Sequence, residues 1–256
     1  MRQLDIISTI LFVCKDIVET KTSVFEEDFT AELKPLLTGV NIELLDLYKS
    51  RLYELKVIYE KLQKYPTYFT SFYNSEVISN EDALEYHIHS FLADVYTYRE
   101  KIAGLLGLMQ NKIPAEYVED KRSLDDIRKI ILNNFEPITS IRKNHTHPIT
   151  DMGWYSDEGS LKIRNIKALE SFLNTEGIKE TVNWDYVRER LVVEDAEAVK
   201  ALEESVERWT KNSASALHMI EQTIPKILDK VSFTIYMTVN IADASELLKK
   251  RILTVN

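Results

Sequence analysis

The stretch ALEYHIHSFLADVYTYREKIAGLLGLMQ, residues 83–110, decides the fold class. Its apolar residues Leu84, Ile88, Phe91, Val95, Ile102, Leu105 and Met109 are three or four apart, except for one seven-residue step across Arg99. That spacing keeps them on one face of an α-helix, whereas a half-buried strand would alternate every second residue. Upstream, Ser79 and Asp82 resemble an N-cap followed by an acidic first turn.

The same period extends outward in both directions. Ile6, Ile10, Val13 and Ile17 predict a first helix, and Leu44, Leu47, Leu52, Leu55, Ile58 and Leu62 a second. A shorter helix is expected over Ser123 to Asn133. Pro137 suits the first turn of the next one, which should stop by His147 because Pro148 disfavours the α conformation in its predecessor. The segment DMGWYSDEGS, residues 151–160, reads as a loop, holding two of only six glycines. Val199, Leu202, Val206, Trp209, Leu217, Ile220 and Ile224 form a late stripe expected to end around Pro225. VSFTIYMTV, residues 231–239, has a strand-like composition but no partner strand, so helix is preferred. The expectation is all-α: a bundle of seven to nine helices in a single domain spanning residues 1–256.

Composition narrows the function. Cys14 is the only cysteine, which excludes an internal disulfide and points to a reducing compartment; its apolar surroundings predict a buried, inert thiol. The apolar run near the N-terminus, between Asp5 and Lys15, is too short to cross a membrane and no cleavage site follows it. A soluble cytoplasmic protein is expected, with no membrane partner. A net charge of −9 argues against a surface that coats nucleic acid. Residues 121–149 depart from that background: Lys121, Arg122, Arg128, Lys129, Arg142 and Lys143 face only Asp125, Asp126 and Glu136, a local excess of +3.

That basic stretch contains SIRKNHTHPI, residues 140–149. An arginine binds phosphate through a fork of N–H donors and can stabilise charge growing on a phosphoryl centre. A histidine titrates near neutrality and can move protons to and from the attacking and leaving oxygens. An RNA 2′-hydroxyl supplies an internal nucleophile, so no metal or other cofactor is required. His145, three residues from Arg142, is its neighbour on a continuing helix. His147 stands roughly 140° round an ideal helix from Arg142, but Pro148 releases it to swing back. Of the two, His147 is favoured. Asn144 could hydrogen-bond a phosphate oxygen or orient an imidazole.

SIRKNHTHPI resembles the signature of HEPN domains, in which Arg and His are separated by four to six residues at a helix end. The helix quoted at the outset resembles the long helix that precedes the motif in that family. The resemblance extends over about residues 80–173, as a core to which further N- and C-terminal helices are added. It implies a metal-independent endoribonuclease of a toxin–antitoxin, abortive-infection or other defence system. It further implies a homodimer whose two motifs build one RNA-cleaving cleft, restrained by an antitoxin or other regulatory protein. Arg142 and His147 take the catalytic positions, supported by Lys143, Asn144 and His145. Two departures stand out. Lys143 occupies the place where the family usually has Asn, Asp or His. Ile149 stands where one branch carries a modifiable Tyr. The alternative reading is a non-catalytic HEPN-like scaffold that binds RNA or a protein partner.

Other residues complete the candidate site. Arg128 and Lys129 are expected to contact RNA as part of the basic stretch. Trp154 and Tyr155 could stack on unpaired bases or pack back onto the bundle. Asp94 is either a solvated residue at the stripe edge or a support that holds the Arg142 fork. His87 and His89 are two apart on one helix and cannot chelate a single metal from it. His87 reads as a core residue, His89 as a surface one, and His218 has no evident partner. His145 and His147 lack a Cys or acidic partner at a recognised zinc spacing, so no metal site is expected. No glycine-rich phosphate loop, Ser-His-Asp arrangement or cysteine nucleophile is present.

Overall fold

A computed structural model describes the backbone of residues 2–19, 26–71, 78, 80–146 and 184–254. Among the described residues there are eight α-helices and no strand. They are α1 (Arg2–Glu19), α2 (Glu27–Leu36), α3 (Ile42–Leu62), α4 (Tyr65–Thr70), α5 (Asn80–Lys112), α6 (Val118–Thr146), α7 (Trp184–Val239) and α8 (Ala242–Thr254). Residues 231–239, whose composition suits a strand, are helical within α7. The Ser79 cap and the expected loop at residues 151–160 lie outside the described residues.

Helix α5 carries the stripe that the sequence defines, and all seven of its positions are buried. Tyr98 fills the seven-residue step and is itself buried, so the face is continuous. Arg99 turns outward to Glu100 (2.7 Å) and Glu136 (3.3 Å). Tyrosine plays the same part on α3. Tyr48 and Tyr59 lie in the core, while Leu47 is 37% exposed and Ile58 is only half-buried. A buried phenol is tolerated when its hydroxyl finds a partner. Tyr48 Oη lies 3.2 Å from Thr238 Oγ1, and Tyr59 donates to Glu221 at 2.5 Å. On α1 the buried face runs through Ile7, Ile10, Cys14 and Ile17, leaving Ile6 half-buried.

The described helices gather into two compact units, each made of segments distant in sequence. One comprises Met1–Glu60, Tyr96–Glu136 and His218–Asn256. Within it, Asn41 caps α3 by accepting from the Leu44 amide at 3.0 Å. Asn240 ends α7 in the left-handed conformation (φ 63°), with the Ile241 amide donating back to Tyr236 at 2.9 Å. The Asn240 side chain donates to the Thr38 carbonyl at 3.2 Å, fastening the α2–α3 turn. The other unit comprises Lys61–Val95 and Pro137–Leu217. Tyr65, Phe69, Phe91 and Trp209 form its aromatic cluster, with ring centroids 5.3–6.4 Å apart.

Prolines depart most from expectation. The helix expected over Ser123–Asn133 and the one expected to start at Pro137 are a single helix, α6, with Pro137 inside it. Likewise α7 runs through Pro225 and continues to Val239. An interior proline removes one helical hydrogen bond and crowds the carbonyl four residues back, at a cost of about 3 kcal/mol. Leu124, Ile131, Phe135 and Thr139 are all buried along α6, so packing on both sides of Pro137 offsets that cost. Pro137 itself is exposed. Pro137→Ala should therefore raise stability by about 1–3 kcal/mol, read as a higher urea midpoint at unchanged slope. An unchanged or lower midpoint would count against the cost assigned to the ring.

The late stripe on α7 also shifts. Val199 is exposed, and Ser205, Ser213 and Ala216 are buried beside Trp209 and Ile220. Small buried residues are invisible to a count of large apolar side chains. Cys14 is fully buried, and burial pushes its thiol up to about 12. In native protein at neutral pH it should resist a thiol reagent, then react as a single equivalent once the chain is unfolded. Rapid labelling of native protein would contradict this placement.

Candidate functional site at the end of helix α6

The part of the motif from Ser140 to Thr146 forms the last turns of a 29-residue helix. Arg142 lies in it, half-buried. Lys143, Asn144 and His145 continue the helical backbone, while their side chains lie outside the described residues, as do His147, Trp154 and Tyr155 altogether. On this backbone His145 occupies the position one turn after Arg142, nearly on the same face.

The basic stretch looks different on the helix that carries it. Glu119 and Asp120, just before the stretch, belong to the first turn of α6. Over the whole helix, six basic residues meet five acidic ones, an excess of +1 rather than +3. Asp120 lies 3.6 Å from Lys230, and Glu136 lies 3.3 Å from Arg99. Lys129 pairs with Asp125 one turn back at 2.6 Å, a bond that raises the lysine pKa. Arg128 is half-buried, and its Nε has no hydrogen-bond partner among the described residues. Neither residue is a bare cation displayed to solvent. RNA contact by Lys129 would have to compete with its own carboxylate partner.

Asp94 has its own company. Lys61 reaches both of its carboxylate oxygens, at 2.8 and 3.0 Å, and the Tyr65 hydroxyl donates to Oδ2. Burial, then the hydrogen bond to Asp94, pushes the Tyr65 hydroxyl far above its usual range, so it remains a donor. Sequence reasoning missed Lys61 and Tyr65 as its partners. A signal was available, because Pro66 fixes the start of α4 and thereby the position of the preceding tyrosine.

The remaining histidines have defined surroundings. His87 is buried and stacks on Tyr68 (5.3 Å between centroids, 16° between planes), and burial lowers its pKa. His89 is half-buried, 3.7 Å from Glu85. His218 does have a partner, Gln222 at 2.7 Å, one turn further along α7. Among the described residues, no three His, Cys, Asp or Glu side chains gather as a metal site, and no helix is long and apolar enough to cross a membrane.

No protein-family model, curated protein or solved structure matches this chain. The α6 end offers a guanidinium on a helical scaffold, followed by two imidazole-bearing positions and a proline. Such a set can bind a phosphodiester and exchange protons with it.

Proposed function

We propose that this protein is a metal-independent endoribonuclease of HEPN type, acting in a defence or toxin-like role. The observation that supports the reading is the position of Arg142 on the final turns of α6, half-buried in the helix, with His147 following in sequence just past its described end. A half-buried guanidinium loses less side-chain freedom on binding phosphate than a fully solvated one. In this reading Arg142 neutralises charge on the phosphoryl oxygens, and His147 transfers the proton. The 2′-hydroxyl attacks the adjacent phosphorus, the P–O5′ bond breaks, and the products are a 2′,3′-cyclic phosphate and a 5′-hydroxyl. Asn144 and His145 position the phosphate. Two copies of the chain, related by a two-fold axis, bring two motifs to one cleft. An antitoxin or other regulatory protein restrains the activity.

The test is incubation of purified protein with mixed RNA and a metal chelator over a broad pH range. Progressive cleavage is expected. Intact RNA after long incubation would remove the catalytic reading.

A second reading is favoured by the charge pairing along α6. With only +1 on the helix and Lys129 engaged by Asp125, the helix is weakly charged for gripping a substrate strand, which suits a non-catalytic scaffold whose partner is a protein, or RNA held elsewhere on the chain. Retained RNA binding without cleavage would select it.

A further inference from the structure

Away from the α6 end, α1 and α3 lie side by side and run antiparallel. Two ion pairs establish this: Lys15 to Asp46 at 2.5 Å and Asp5 to Lys56 at 2.8 Å. Ten residues separate Asp5 from Lys15, about 15 Å along the helix. Between these two clamps runs an open groove of about 570 Å³.

Phe12 is 54% exposed on the α1 side and Tyr53 is 66% exposed on the α3 side. The antiparallel register sets Phe12 level with Lys49 and Tyr53 level with Ser8. The two rings are thus staggered by about one helical turn on opposite walls. Two exposed aromatic side chains beside one groove have left water contact unremedied, and a flat ring placed against them would recover it.

The polar groups point to the rest of the ligand. Both aspartates in the groove are already held by lysines, so they do not call for a cation. Lys49 differs: among the described residues no carboxylate lies within ion-pair distance of it. Its ammonium instead rests over the Phe12 ring, 5.4 Å from the centroid. A cation–π contact leaves an ammonium's other donors available to an anion. The Ser8 and Ser50 hydroxyls also line the groove without a protein hydrogen-bond partner among the described residues. The groove lining itself holds two lysines and two aspartates, neutral within a chain of −9.

We infer that the α1–α3 groove binds a nucleotide unit, with the base against Tyr53 and Phe12 and the phosphate on Lys49 and the serine hydroxyls. Stacking on aromatic side chains together with a cationic backbone contact is how single nucleotides and unpaired strands are held with little sequence preference. The unit could be a free mononucleotide or one residue of an RNA strand. The inference does not rest on cleavage at the end of α6.

The test titrates the full chain with AMP and, separately, with a short 2′-O-methyl oligoadenylate that cannot be cleaved through its 2′ position. Saturable binding of at least one probe is expected. Lys49→Glu and Tyr53→Ala should each weaken it by about tenfold or more, while Lys49→Arg retains it. Both changed residues sit on the surface of their helix, and an unchanged helical circular dichroism spectrum would verify folding. Binding of the oligomer far tighter than AMP would assign the groove to a strand, and equal binding to a free nucleotide. Absence of saturable binding by either probe, or affinity unchanged in both weakening variants, would overturn the inference. Cleavage of RNA in chelator would be untouched by that result, so the two proposals fail separately.

Discussion

Replacing His147 by alanine is expected to lower RNA cleavage by about two to four orders of magnitude, the usual worth of a proton-transfer group. Arg142→Ala should lower it by about two to three orders, because charge on the phosphoryl oxygens then develops without its fork of donors. His145→Ala should cost about tenfold, since its loss affects placement rather than proton transfer. Arg142→Lys separates charge from geometry: the ammonium keeps the charge but loses the bidentate fit, and partial activity is expected. The ranking of the two histidines is the informative part. On α6 as described to Thr146, His145 is the helical neighbour of Arg142. The preference for His147 therefore rests on Pro148 disfavouring the α conformation at residue 147. A larger loss in His145→Ala than in His147→Ala would move the proton-transfer role one turn back. Full activity in both would leave the motif as a helix terminus without chemistry.

The largest expected effect on stability lies in the aromatic cluster. Phe91 is buried, with its ring centroid 5.3 Å from Tyr65, 5.9 Å from Phe69 and 6.3 Å from Trp209. Truncation to alanine removes a ring's burial and leaves a cavity that surrounding rings can fill only in part. Phe91→Ala should cost about 3–5 kcal/mol, seen as a large fall in the denaturation midpoint. Phe91→Leu should cost distinctly less, since most of the volume remains. The comparison control is Phe12→Ala, whose side chain is exposed and whose loss should fall within about 0.5 kcal/mol. Similar losses in Phe91→Ala and Phe12→Ala would contradict the cluster as a core.

The helical fold was legible because the apolar residues of α5 keep one period over most of its 33 residues. Where the reading slipped, the cause was local. Tyr48, Tyr59 and Tyr98 look amphipathic in sequence, yet each is buried, and those on α3 find their hydroxyl partners on α7, far along the chain. No periodicity count reveals a partner 162 or 190 residues away. Pro137 and Pro225 read as boundaries because a proline costs helix stability locally, while the packing that outweighs this cost is tertiary. Asp94 shows the same limit at the candidate site. Its residue type left open a solvated acid or a support for Arg142, and neither reading named Lys61 and Tyr65, which approach it from elements before α5. The charge excess around the motif was likewise a matter of where the count began, since α6 starts three residues earlier, at Val118.

The central claim is that the α6 end cuts RNA through the substrate's own 2′-hydroxyl. The most direct measurement uses a DNA oligonucleotide containing a single ribonucleotide, incubated with the protein in chelator and resolved by mass. Cleavage only after the ribonucleotide is predicted, leaving a 2′,3′-cyclic phosphate and a 5′-hydroxyl, with both products lost in Arg142→Ala and His147→Ala. An uncut substrate in a preparation that binds RNA, cleavage at deoxyribonucleotides, or equal product from both variants would contradict the account.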